Sequence, residues 1–133
     1  MYLLDTNVCI GFLKANEVIV SKMAQVAPTD LNLCSVVKAE LYYGARSSQQ
    51  IANNLAILER FFEPYTSLVF DDRSAQLYGQ VRADLRRTGQ LIGPNDTMIA
   101  AIALAHNLTV VTHNTGEFAR VPGLKLEDWE EVS

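Results

Sequence analysis

Two cysteines, two histidines and a single tryptophan in 133 residues leave little material for several common chemistries. Cys9 and Cys34 form no CxxC pair and stand in no secretory context, so free buried thiols are expected rather than a disulfide or a thiolate zinc site. No apolar run approaches the roughly 20 residues that a membrane-spanning helix requires. The start, Met1-Tyr2-Leu3-Leu4-Asp5, has neither the basic residues nor the apolar length of a signal peptide, so a cytoplasmic protein is expected. Low-complexity tracts, internal repeats and Gly/Ser linkers are missing too, which leaves one domain over 1–133 as the expected organisation.

An excess of basic charge is also lacking. The formal net charge is −4, which argues against a nucleic-acid coat that works by neutralising phosphates alone. The imbalance is local: Glu127, Asp128, Glu130 and Glu131 crowd the end, and without them the 15 acidic residues fall to 11, against 11 Lys and Arg. Residues 127–133 therefore read as a short frayed acidic tail on a neutral body. Within that body Arg82, Arg86 and Arg87 share one expected helix, where they form either a solvated face or a contact for a polyanion.

What the chain has in quantity is apolar residues, at 49%, and their spacing alternates between two kinds of element. Short apolar runs at 2–4, 31–33, 68–70, 108–111 and 124–126 predict five strands. Between them, Val37-Leu41-Ala45, Leu55-Leu58-Phe62, Leu77-Val81-Leu85 and the segment from Ile99 to Ala105 have helical spacing. Alternation of this kind predicts an α/β fold with a parallel sheet covered on both faces. Gly93-Pro94 stands where proline favours a first helical turn.

In such a sheet, ligands bind at the carboxyl ends of the strands. Asp5-Thr6-Asn7 follows the first strand, Thr112-His113-Asn114-Thr115 follows the fourth, and Gly93-Pro94-Asn95-Asp96 opens the helix that leads into the fourth. Asp5 also reads as the N-cap of the next helix, and Asp96 as an acid that suits a first helical turn. Asp96, however, shares a face with Ala100 and Ala103, which turns it inward. Glu40 lies in mid-helix beside Val37 and Leu41 on the side expected to face the sheet, where a carboxylate is costly without a partner. Its bland reading is a rim position whose oxygens reach water.

Three inward carboxylates at one sheet edge repel one another unless a cation holds them. Oxygen ligands without an adjacent histidine or cysteine favour Mg²⁺ or Mn²⁺ over zinc, and such a centre suits phosphodiester hydrolysis. His106, at the end of an alanine-rich helix, reads as structural. His113 reads as a loop residue near the site, with Asn114 the better candidate for contact.

Leu4-Asp5-Thr6-Asn7, the segment from Val37 through Glu40 to Ala45, the segment from Ile92 through Asp96 to Ala100, and Val111-Thr112-His113-Asn114-Thr115-Gly116-Glu117-Phe118 resemble, in order, the motif blocks of VapC-type PIN-domain toxins. The ending from Val121 to Trp129 resembles the family's last strand and tail. The resemblance implies a three-layer α/β/α fold around a parallel sheet of about five strands. It also implies a Mg²⁺- or Mn²⁺-dependent endoribonuclease toxin, often acting on transfer RNA, that forms a homodimer and is neutralised by a VapB-like antitoxin. Carried over by position, Asp5, Glu40 and Asp96 match the acidic metal-binding triad. Asn114 stands at a fourth position that is acidic in many PIN domains; it brings a carbonyl ligand without charge, and Glu117 lies nearby as a further carboxylate. Thr6 and Thr112 match supporting hydroxyl positions, and Arg82, Arg86 and Arg87 are expected to hold flanking phosphates.

Two other readings compete. A receiver-like domain binds Mg²⁺ without hydrolysis, but it pairs adjacent acids after its first strand and places a lysine after its last. Here Thr6-Asn7 follows Asp5, and Lys125 falls inside the expected strand. A catalytically weak PIN-like interaction module would lack a triad carboxylate, and none is lacking.

Overall fold

Strands of three or four apolar residues survive in a parallel sheet only when both faces are covered, and Leu3, Leu4, Leu33, Val110 and Val111 are all fully buried. In the computed structural model, which describes residues 1–130, β1 (Tyr2–Leu4), β2 (Leu31–Cys34), β3 (Thr66–Leu68), β4 (Thr109–Val111) and β5 (Lys125–Glu127) form one sheet in the order β3-β2-β1-β4-β5. Every pairing is parallel. The helices are α1 (Thr6–Leu13), α2 (Glu17–Ala24), α3 (Ser35–Arg46), α4 (Ile51–Phe62), α5 (Asp72–Arg87), α6 (Pro94–His106) and the short α7 (Thr115–Phe118). They flank the sheet in the three-layer arrangement expected from the alternation of elements.

The strand order places a site. The chain steps outward from β1 through β2 to β3, then returns to the other side of β1 as β4, so the direction of winding reverses between β1 and β4. Right-handed crossovers put the connecting helices of the two halves on opposite faces, and a crevice opens where they part. The strands are short beside their helices: three residues span about 10 Å and a 12-residue helix about 18 Å. Helices α3 and α6, which meet, therefore overhang the sheet and wall the crevice.

Three expectations are corrected. The third strand is Thr66–Leu68 rather than 68–70, because Thr66, Ser67 and Leu68 pair with Asn32, Leu33 and Cys34 while Val69 turns outward, 60% exposed. The fifth strand is Lys125–Glu127 rather than 124–126. Residues 127–130 are not a frayed tail: Glu127 closes β5 and Trp129 is buried, packed edge-on to Tyr2 at 5.3 Å between ring centroids. The remainder, 131–133, lies outside the described residues. Helix α2 had no counterpart in the periodicity, although its start carries a signal: Asn16 Oδ1 accepts from the backbone N–H of Val18 and Ile19, the usual N-cap pattern. Cys9 and Cys34 are free and buried, as expected. Among the described residues no helix is long and apolar enough to cross a membrane.

Candidate active site

Asp5 leaves β1 and at once caps α1, its Oδ1 accepting from Val8 N–H at 2.9 Å. The capping reading holds, and because the cap uses one oxygen it leaves the other at the carboxyl end of the central strand, where the site reading requires it. The residue is 5% exposed. Burial pushes its carboxyl pKa up, against hydrogen bonds from Thr112 and Val8, with Glu130 and Glu40 adding repulsion.

Glu40 reaches the same crevice from α3. It is half-buried, and its Oε1 accepts from Thr6 Oγ1 at 2.8 Å, so the residue after Asp5 orients the second carboxylate. Replacing Thr6 by Val should cut metal-dependent cleavage about tenfold, the usual scale for losing a group that orients a metal ligand. Stability should change by no more than about 1 kcal/mol. Recovery in Thr6→Ser, which restores the hydroxyl, checks the assignment; equal activity in both variants would remove Thr6 from the site.

Asp96 enters in the first turn of α6, where Pro94 occupies a first-turn position and Thr97 Oγ1 bonds back to Gly93 O at 2.9 Å. From Ile99 to Ala103 the helix is buried, which anchors its N-terminal turn over the crevice. The Asp96 carboxyl is pushed up to about 6 by burial, followed by the charges of Glu117, Glu40 and Asp5. Asp96 therefore feels the charges of Glu117, Glu40 and Asp5, and Asp5 feels that of Glu40.

The fourth position is a small network. Thr112, fully buried, accepts from Asn114 N–H at 2.9 Å through its Oγ1, and its side chain also bonds Asp5. Asn114 Nδ2 donates to Glu117 Oε2 at 3.2 Å, which leaves the carbonyl end of the amide as its available ligand. Helix α7, absent from the sequence reading, is what returns Glu117 to the cleft. The arginines are not gathered into this group: Arg82, Arg86 and Arg87 are exposed on α5, and Arg87 pairs with Asp84. Sequence reasoning missed Arg120, which donates to Leu91 O at 3.2 Å and ties the loop before α6 to the end of α7. His106 ends α6, within reach of Asp71. His113 joins Asp128.

This chemistry wants a cation. Asp96 is repelled by Asp5, Glu40 and Glu117, and among the described residues none of the four makes an ion pair. Oxygen donors of this kind fit Mg²⁺ or Mn²⁺.

Comparison with known proteins agrees with the fold. The family model of the PIN domain matches residues 2–124. A tRNA(fMet)-specific endonuclease VapC of Shigella flexneri is 41% identical over 128 residues, covering 96% of this chain and 97% of the relative. The DNA-bound VapBC structure from Salmonella typhimurium contains a chain that superposes with a TM-score of 0.91 at 40% identity, over 96% of this chain and 97% of that one. VapBC2 from Rickettsia felis, bound to a DNA fragment from its promoter, gives 0.91 at 34% identity over 97% and 98%. Family model, sequence and fold agree over nearly the whole length, and the chain belongs to the PIN-domain family, within its VapC group.

Proposed function

We propose that this chain is a metal-dependent endoribonuclease toxin that hydrolyses RNA phosphodiester bonds, those of transfer RNA foremost, and that a VapB-like antitoxin neutralises it. The observation that carries this reading is the set of carboxylates acting on Asp96 near the reversal of strand order: burial, then the charges of Glu117, Glu40 and Asp5, push its carboxyl up to about 6. The names of the relatives support the activity and the partner: an endonuclease VapC in one case and VapBC complexes in the others.

Asp5 and Asp96 would hold Mg²⁺ or Mn²⁺ directly, with Glu40 on the ion or its waters. When bound, the cation supplies neutralisation of phosphate charge and a more acidic water. The protein's own part is positioning. The α1 cap fixes Asp5, Thr6 orients Glu40, and Thr112 joins Asp5 to the backbone of Asn114. Asn114 adds a neutral ligand or substrate contact beside Glu117. The N-terminus of α6 favours negative charge over the crevice, and Arg82, Arg86 and Arg87 would steady flanking phosphates. A groove of about 460 Å³, lined by Ile10, Leu13, Leu41 and Leu58, opens beside Glu40, so an antitoxin segment laid in it would reach the carboxylates.

Purified protein free of antitoxin should cut labelled transfer RNA with Mg²⁺ or Mn²⁺ and stop cutting with chelator. Cleavage that persists in chelator would falsify the metal-dependent reading. Equal cutting of an unstructured RNA would remove transfer RNA as the favoured substrate and leave the nuclease.

A further inference from the structure

We propose that His113, Asp128 and Glu130 form a second cation site on the rim of the cleft, suited to a zinc-class divalent transition ion. Its origin is the register of two neighbouring parallel strands. Val111 of β4 stands beside Glu127 of β5, and Thr112 N–H donates to Glu127 O at 3.0 Å. The next residue of each strand path, His113 and Asp128, therefore leaves the sheet side by side, with His113 Nδ1 2.9 Å from Asp128 Oδ2. The other oxygen of Asp128 accepts from Glu130 N–H at 2.9 Å, which brings the Glu130 carboxylate back toward the pair. One donor atom from each of the three residues lies within 4.8 Å of the other two.

Two observations make this more than a surface ion pair. The segment bearing Asp128 and Glu130 is fixed: Trp129 between them is 4% exposed, and its Nε1 donates to Glu127 Oε1 at 3.1 Å. The donor set also differs in kind from the all-oxygen carboxylate centre. An imidazole with two carboxylates suits Zn²⁺, Ni²⁺ or Co²⁺ better than Mg²⁺. Two donors at about 2.1 Å from a tetrahedral ion stand roughly 3.4 Å apart, so rotation of the exposed His113 ring and the Glu130 side chain closes the set, with water in the fourth position. An ion there would lie beside Asn114 and near Asp5, whose carboxyl already feels the Glu130 charge. Binding at this site goes beyond the nuclease reading and stands independently of it.

Trp129 is the single tryptophan and sits between two of the ligands, so its emission reports occupancy. Untagged full-length protein is titrated with Ni²⁺ in excess Mg²⁺, which fills the carboxylate centre, and the Ni²⁺ is then displaced by Zn²⁺. The expected result is saturable quenching that Zn²⁺ reverses, that His113→Ala and Glu130→Gln each weaken about tenfold or more, and that Asp96→Asn leaves unchanged. Far-UV circular dichroism checks that each variant is folded. Absence of saturable quenching, or quenching that Asp96→Asn removes and His113→Ala retains, overturns the site and leaves His113 and Asp128 as an ion pair.

Discussion

Asp96→Asn should abolish metal-dependent RNA cleavage and at the same time raise the melting temperature of the metal-free protein. Both effects follow from one carboxylate. Asp96 is pushed from 3.8 to about 6 by burial and by Glu117, Glu40 and Asp5, so at neutral pH its charge is held against resistance. A folded-state pKa above the unfolded value means that the folded protein binds the extra proton between roughly pH 4 and 6. Metal-free stability therefore falls as pH rises through that window and stays low above it. The shift corresponds to about 3 kcal/mol at 1.36 kcal/mol per unit, and solvent screening of a half-exposed group reduces this to about 1 kcal/mol. Asparagine keeps the shape and removes the charge, so melting should rise by roughly 3–5 °C. Mn²⁺ should stabilise the native protein by mass action and leave the variant almost unmoved. Cleavage at limiting metal should fall as pH drops through about 6. A variant that melts lower than the native protein would show that Asp96 has a partner other than a cation.

Asp5 separates structure from chemistry, because it caps α1 and is also the proposed metal ligand. Asn caps a helix as well as Asp and removes a buried charge whose pKa burial raises, so Asp5→Asn should keep the metal-free melting temperature at or above that of the native protein. Asp5→Ala loses the bond to Val8 N–H and about 1 kcal/mol. Both variants should lose cleavage by on the order of 10³-fold, the equivalent of several kcal/mol of charge stabilisation at 1.36 kcal/mol per decade. Thermal melts and cleavage rates for the pair decide it: activity that tracks stability, with Asp5→Asn active, would reduce Asp5 to a cap.

The candidate site was legible where polar residues sit next to an element boundary. Asp5, Asp96 and Asn114 each follow a strand or open a helix, so the rule for parallel sheets finds them without coordinates. Glu40 was legible because a mid-helix carboxylate among Val37 and Leu41 conflicts with burial. What stayed hidden depends on register and on short elements. The contact of His113 with Asp128 spans 15 residues and exists only because β4 and β5 pair Val111 with Glu127. Helix α7 has four residues, too few for a periodic signal, yet it returns Glu117 to the cleft. The third strand was displaced because Leu68-Val69-Phe70 looks more strand-like than Thr66-Ser67-Leu68, while backbone pairing with β2 selects the latter. The acidic end read as a tail by charge alone, which ignored Trp129.

The most direct test of the carboxylate centre is a calorimetric titration of Mn²⁺ into native protein and Asp96→Asn, paired with cleavage of labelled transfer RNA by the same samples. Binding at the carboxylate centre and cutting should be present together in the native protein and lost together in the variant. Cutting by a variant that no longer binds Mn²⁺ there, or unchanged binding when Asp96 has lost its charge, would contradict it.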